Sequence, residues 1–349
     1  MFQLSEENDM ERLMGMTLNE LKEVTSKTSL PAYAAGQMAD WLYQKKIRSI
    51  DEMTNIGAAK REQLKTHYEI GSRPPVKTTT SADSAVKYLF AVNDGAHFVE
   101  SVYIPSRDRA TLCVSSQAGC KMKCLFCMTG RQKFTVQLTA NEMLNQIQSI
   151  SESQGLDNVV FMGMGEPLDN VDELFKTLEI LTSSYGYGWS PKRITVSTIG
   201  ILPGLKRFLD ESSCHLAVSL HSPFHEERLS LMPVEKVYPI RKIIDLIHGY
   251  NFSGQRRVSF EYILFDGVND TERHAKELSR LLKGLECRVN LIRYHTLPGV
   301  NLRSCNELKM EYFRNMLNKL GVLATIRVSR GEDVFAACGM LSTVKNKKI

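Results

Sequence analysis

From Ala110 onward this 349-residue chain alternates short β-branched runs with amphipathic stretches, and no other feature constrains its fold as tightly. The runs are ATLCVSS (residues 110–116), NVVFMG (158–163), RITVST (193–198), CHLAVSL (214–220), RVSFEYIL (257–264) and CRVNLIRY (287–294). Strand followed by helix, repeated about six times, requires parallel strands joined by helical crossovers, because a tight hairpin can only reverse the chain. The spacing predicts helices over 171–183, 239–249, 270–284 and 308–320. A further helix should open at Thr139-Ala140-Asn141-Glu142, a capping box in which the Thr hydroxyl takes the Glu142 amide and Glu142 reaches back. Six units fall short of the eight of a closed barrel, so the expected fold class is α/β, a partial six-unit barrel.

Upstream the pattern differs. Residues 16–70 carry helical spacing, as in Leu18, Leu21 and Val24, and read as a small helical domain ending near residue 75. Residues 72–84, SRPPVKTTTSADS, read as a linker. VKYLFAV and HFVESVYI follow, separated by Asn93-Asp94-Gly95-Ala96, which predicts a β-hairpin within a segment 76–106; the core then occupies 107–349. Hydrophobic residues make up 43% of the chain, enough for an ordinary buried core. The first residues carry acids where a secretory signal needs a basic start, and no stretch of eighteen apolar residues follows, so a soluble, cytoplasmic protein with no membrane partner is expected. The net charge of +5 is modest, but the basic residues gather: Lys45, Lys46, Arg48, Lys60, Arg61 and Lys65; then Arg107, Arg109, Lys121, Lys123, Arg131 and Lys133; then Lys345, Lys347 and Lys348.

Four cysteines lie between Cys113 and Cys127. In a reducing compartment such a cluster is metal-binding or catalytic rather than a disulfide framework. Cys120, Cys124 and Cys127 are spaced C-x3-C-x2-C, with Phe126 before the last. Three thiolates on one loop can hold three corners of a [4Fe-4S] cluster and leave one iron open. Structural zinc is the alternative, with Cys113 as a possible fourth ligand, although no second Cys or His pair follows downstream. Cys214, Cys287 and Cys305 read as small buried hydrophobes, whereas Cys338 sits among Ala336, Ala337 and Gly339, where a side chain can be presented to a substrate.

C-x3-C-x2-C after a first strand resembles the radical S-adenosylmethionine (SAM) superfamily, which implies a TIM-like radical SAM barrel, a [4Fe-4S] cluster and SAM bound at the open iron. Barrel strands present ligands at their carboxyl ends. The resemblance places SAM contacts there: Gly165 and Glu166 in MGMGEPLDN after the second strand, Ser197 after the third, and Ser219, Leu220 and His221 after the fourth.

VSSQAGCKMKCLFCMTGRQ, FMGMGEPLDN, AVSLHSP, FEYILFDGVND, VNLI and RGEDVFAACG occur in order from Val114 to Gly339. That combination resembles the RlmN-type dual-specificity RNA methyltransferases, and residues 1–75 are similar to that family's accessory RNA-binding domain. The resemblance implies methylation of carbon 2 of adenine 2503 in 23S rRNA and of adenine 37 in some tRNAs, consuming two SAM per turnover. Cys338 would receive a methyl group from one SAM; a radical from the second would activate it for addition to the base. Glu100 would accept the carbon-2 proton, and Cys113 would attack Cys338 to release the RNA, leaving a disulfide. An electron donor such as flavodoxin or ferredoxin and a thiol reductant are implied partners. Lys45, Lys46, Lys60 and Arg61 would contact the RNA backbone. One departure stands out: the family commonly has an Asn that contacts SAM where this chain has His295. Related readings are a Cfr-type enzyme acting on carbon 8, a radical SAM protein that activates another polypeptide, and a zinc-dependent RNA-binding module.

Overall fold

A computed structural model describes residues 10–107, 109–252, 254 and 256–343; Lys345, Lys347 and Lys348 of the third basic group lie outside them. Two compact units emerge, one formed by residues 1–74, 138–153 and 172–190, the other by 75–137, 154–171 and 191–349.

The first unit is helical. Leu18–Lys27 starts at a capping box between Thr17 and Glu20, Ala34–Ala39 runs on into a π-helical turn at Asp40–Gln44, and Ala58–Lys65 follows. Leu13, Leu21, Met38, Leu42 and Leu64 are fully buried at its centre. Two helices read as crossovers of the core, Ala140–Gln148 and Val171–Thr182, belong here apart from Val171. The expected capping box opens the first of them, with Thr139 Oγ1 accepting the Glu142 N–H at 3.3 Å. Both faces of that helix are buried, and its polar residues are satisfied inside the unit: Asn141 Nδ2 donates to the carbonyls of Met14 and Gly71 at 2.9 and 3.2 Å.

The second unit contains one ten-stranded sheet. Its strands are β1 (Lys77–Thr80), β2 (Val86–Val92), β3 (His97–Ser106), β4 (Arg109–Cys113), β5 (Asn158–Phe161), β6 (Ile194–Thr198), β7 (His215–Ser219), β8 (Val258–Leu264), β9 (Cys287–Arg293) and β10 (Ala324–Ile326). Strands β4 to β10 lie side by side in chain order and pair in parallel, whereas β1 to β4 pair antiparallel. The sheet is open, with β1 and β10 at its edges. This is an α/β fold with the expected hairpin, β2 and β3, turning through Asn93 and Asp94 at positive φ and Gly95 at 87°.

Three features depart from the sequence reading. The stretch read as a linker contains β1, whose register sets Thr78 opposite Tyr88; three consecutive β-branched threonines suit an edge strand as well as a loop. Beyond the six expected strands, the three-residue β10 is a seventh, too short to show a period. Helix Leu202–Glu211 carries Pro203 and Gly204 in its first turn, turn-forming residues that hide a helix start. Among the described residues no helix is long and apolar enough to cross a membrane.

Candidate functional site

The cluster loop leaves the sheet just after β4. Gln117–Ala118 pairs antiparallel with Val136–Gln137 and closes a base under residues 119–135. Gly119, at φ +76°, turns the chain where a Cβ would meet the Lys133 carbonyl oxygen at 2.2 Å, so only glycine fits before Cys120. Phe126 anchors the loop: it is buried, edge-on to His221 at 4.6 Å and tilted against Phe265 at 5.7 Å. Leu125 N–H donates to the Leu231 carbonyl at 2.9 Å.

The three thiols of this loop line one cavity together with Gly163, Gly165, Glu166, Ser197 and Ser219. Burial pushes the Cys120 thiol up to about 12 and raises Cys124 and Cys127 as well, and the neighbouring thiols add to the rise at Cys120 and Cys124. Three cysteine sulfurs lining one cavity fit three corners of a [4Fe-4S] cluster, which leaves the fourth iron for another ligand.

Glu166 is 3% exposed and already well satisfied. Its carboxylate accepts from Thr198 Oγ1 at 2.6 Å, Ile199 N–H at 2.9 Å and Leu168 N–H at 3.1 Å. Burial nevertheless dominates and pushes its carboxyl up to about 7. The glycines flanking Met164 make room for protein: a Cβ on Gly163 would lie 2.6 Å from Ser115 Oγ, and one on Gly165, at φ +99°, 2.5 Å from Gln117 Cβ. Gln117 in turn accepts the Glu166 N–H at 2.8 Å and donates to Gln137 and Asp169, both at 2.7 Å.

Leu220, His221 and His295 lie outside the cavity lining. His221, at φ +55°, accepts the Ile263 N–H on Nδ1 at 3.0 Å; burial depresses its pKa to about 3, so the ring is neutral and carries its proton on Nε2. His295 has Nε2 2.8 Å from Ser329 Oγ and Nδ1 3.2 Å from a Glu332 oxygen, near enough for an ion pair but not aligned as a hydrogen bond.

The remaining candidates converge on the loop carrying Cys338. Met128 N–H donates to the Gly339 carbonyl at 2.8 Å and Thr129 Oγ1 to the Leu341 carbonyl at 2.8 Å, which ties that loop to the cluster loop. Glu100 is buried rather than solvated: one oxygen accepts the Ser342 N–H at 2.8 Å and the other pairs with Lys87 Nζ at 3.0 Å. Burial raises the Cys113 thiol and the Cys338 sulfur raises it further, while Cys338 itself is raised by the surrounding protein and then by the Glu261 carboxylate, although its residue is exposed. Both thiols are free.

Sequence reading missed several groups around the site. Arg228 is fully buried and ion-paired with Glu235; it donates to the carbonyls of Ser219 (2.9 Å), Ile199 (3.1 Å) and Leu220 (3.1 Å), and its charge offsets part of the rise at Cys124. An arginine heading the mostly apolar run 228–234 was the available signal. Lys87 and Thr198 gave none beyond their place beside candidate residues. Five basic residues of the helical unit are engaged within it: Lys45 pairs with Asp40 at 2.9 Å, Lys46 donates to the Ser153 carbonyl, Lys60 to the Thr28 carbonyl, Arg61 to the Ile56 carbonyl, and Lys65 pairs with Asp51.

Residues 114–279 match the radical SAM superfamily, and residues 12–70 match the ribosomal RNA large subunit methyltransferase N-terminal domain. The probable dual-specificity RNA methyltransferase RlmN of Parabacteroides distasonis is 67% identical, covering 97% of this chain and 98% of its own length. The probable dual-specificity RNA methyltransferase RlmN of Bacteroides fragilis is 60% identical over 96% of this chain and 97% of its own. A crystal structure of a radical SAM methyltransferase from Sphaerobacter thermophilus superimposes with a TM-score of 0.89 at 38% identity, covering 95% of this chain and 99% of that one.

Proposed function

This chain belongs to the family of RlmN dual-specificity RNA methyltransferases within the radical SAM superfamily, and from that premise we propose that it methylates carbon 2 of adenine 2503 in 23S rRNA and of adenine 37 in a subset of tRNAs. The family uses a [4Fe-4S] cluster and two SAM per turnover, and when bound this pair supplies a 5′-deoxyadenosyl radical. Cys120, Cys124 and Cys127 would hold the cluster, and Gly165, Glu166, Ser197 and Ser219 would line the place of SAM. In this reading Leu220 and His221 contribute through the main chain and the Phe126 packing, and His295, bonded to Ser329 through Nε2, would act through Nδ1.

The observation that carries the reading is the meeting of Glu100, Cys113 and the Cys338 loop beside the cluster loop. An sp² carbon of adenine does not displace a sulfonium methyl, so the methyl is carried on Cys338, whose thiolate is the nucleophile. Glu100, held between Lys87 and the Ser342 amide, takes the carbon-2 proton once the base is attached. Cys113 then attacks the Cys338 sulfur, frees the RNA and leaves a disulfide for a thiol reductant to open. Residues 1–75 act as the accessory RNA-binding domain, and a flavodoxin- or ferredoxin-like protein supplies the electron.

Anaerobic reconstitution of Cys113→Ala, followed by SAM and an rRNA fragment, tests this scheme. A covalent protein–RNA adduct through Cys338 is expected, and digested wild-type product should contain 2-methyladenosine. Free methylated RNA at the wild-type rate would remove Cys113 from the scheme; 8-methyladenosine alone would move the chemistry to carbon 8.

A further inference from the structure

Three residues before Cys338, Phe335 stands in a conformation that its side chain opposes: φ 54°, ψ 43°, the left-handed region that bulky residues rarely adopt. The residue is 49% exposed. A strained backbone persists only where its surroundings hold it, and here the hold is extensive. Gly331, also left-handed at φ 69°, opens the short turn Glu332–Val334, and Phe335 N–H and Ala336 N–H close it on the carbonyls of Glu332 and Gly331 at 3.1 and 2.8 Å. The loop 81–83 clamps the turn from outside: Ser81 Oγ and Ala82 N–H donate to the Asp333 carboxylate at 2.5 and 3.0 Å, and Gly331 N–H donates to Asp83 at 2.9 Å. Lys87, the cation beside Glu100, reaches the Phe335 carbonyl at 3.4 Å. The main chain is therefore tied to the catalytic base while the ring is left in water.

Ordinary packing does not explain this arrangement, because the residue held in the strained conformation keeps about half of its surface exposed. Exposed aromatic rings on a rigid support are what single-stranded RNA bases stack on, and every base has a face to offer. Three residues of chain span at most about 10 Å, so the Phe335 backbone stays close to the Cys338 loop and to whatever that loop touches. A base extruded for chemistry loses its stacking neighbours, and the nucleotides beside it need a substitute surface. We infer that Phe335 is the stacking platform for a nucleobase adjacent to the target adenine, a contact that rests on the RNA-methylating reading above and extends it to substrate positioning.

The test uses a hairpin RNA with 2-aminopurine on either side of the target adenine, titrated with reconstituted full-length protein. Wild-type protein should quench one of the two probes. Phe335→Asn, chosen because Asn tolerates left-handed φ, should bind the hairpin about tenfold more weakly and lose the quench, with KM for RNA raised more than kcat is lowered; Phe335→Trp should restore both. A thermal melt matching wild type keeps the Asn variant interpretable, and if it melts early the Trp variant alone decides, since a merely structural phenylalanine would not leave the probe quenched by indole. Unchanged affinity and quench in Phe335→Asn overturn the inference while leaving the methylation reading intact. Failure of the wild-type protein to bind or methylate the hairpin overturns the methylation reading, and the inference with it.

Discussion

Replacing Arg228 by Met strands a carboxylate in the core of the second unit. Arg228 and Glu235 are both buried, and removing one member of such a pair costs about 3–5 kcal/mol because the other charge stays behind. Two residual partners pull the figure toward the lower end, since His225 Nδ1 lies 2.9 Å from one Glu235 oxygen and Ile240 N–H donates to the other at 3.0 Å. Three carbonyls then lose their donor, those of Ser219, Ile199 and Leu220, at about 1 kcal/mol each. The expected loss is about 6 kcal/mol, a large fraction of the ~5–15 kcal/mol that holds a domain together. Urea unfolding of the metal-free, reduced chain should show it as a lowered midpoint. Arg228→Met combined with Glu235→Leu should recover about 3 kcal/mol, because the stranded charge goes and only the carbonyls remain unpaired. Since those carbonyls end β6 and β7, the double variant should still take up iron less completely than the parent. A single variant within about 1 kcal/mol of the parent, or a double variant no more stable than the single, would refute the reasoning.

Glu166 makes stability depend on pH. Its folded value, about 7, lies above the ordinary 4.5, so the folded state favours the protonated form; that contribution is complete below about pH 4.5 and is lost as pH rises through 7. The metal-free chain should therefore lose on the order of 3 kcal/mol between pH 4.5 and 8 relative to Glu166→Gln, read from paired urea melts; parallel curves for the two proteins would contradict it. Glu100→Gln keeps the volume but takes no proton, so turnover should fall about a hundredfold or more while the Cys338-linked RNA adduct accumulates on denaturing gels. Fast turnover without adduct would assign the proton to another group.

What could be read from the sequence was what repeats locally or is spaced by chemistry. The six expected parallel strands declared themselves because each is a short, β-branched-rich run of 4–7 residues, the Thr139 cap because its partner lies three residues away, and the cluster loop because its cysteines follow the C-x3-C-x2-C spacing. What could not be read depends on partners far apart in the chain. Lys87 meets Glu100 only because the hairpin register sets Leu89 opposite Glu100 and Lys87 opposite Val102, and Thr198 reaches Glu166 only because β5 and β6 end side by side. Strand β10 hid in a tripeptide with no period of its own.

The glycines of the MGMGEP run mark where such reading gives the right place with an incomplete reason. Glycine beside a ligand site suggests a backbone that a cofactor must approach, yet the Cβ positions of Gly163 and Gly165 are filled by Ser115 and Gln117. Both neighbours belong to the segment that leads from β4 into the cluster loop, and Gln117 fixes the Glu166 amide. The small residues thus bring the strand end bearing Glu166 and the loop bearing the three cysteines into direct contact. A side chain at either position would have to separate them by a large part of an ångström. The same atoms that satisfy the fold thereby set the distance between the loop that carries the three cysteines and the strand end that carries Glu166.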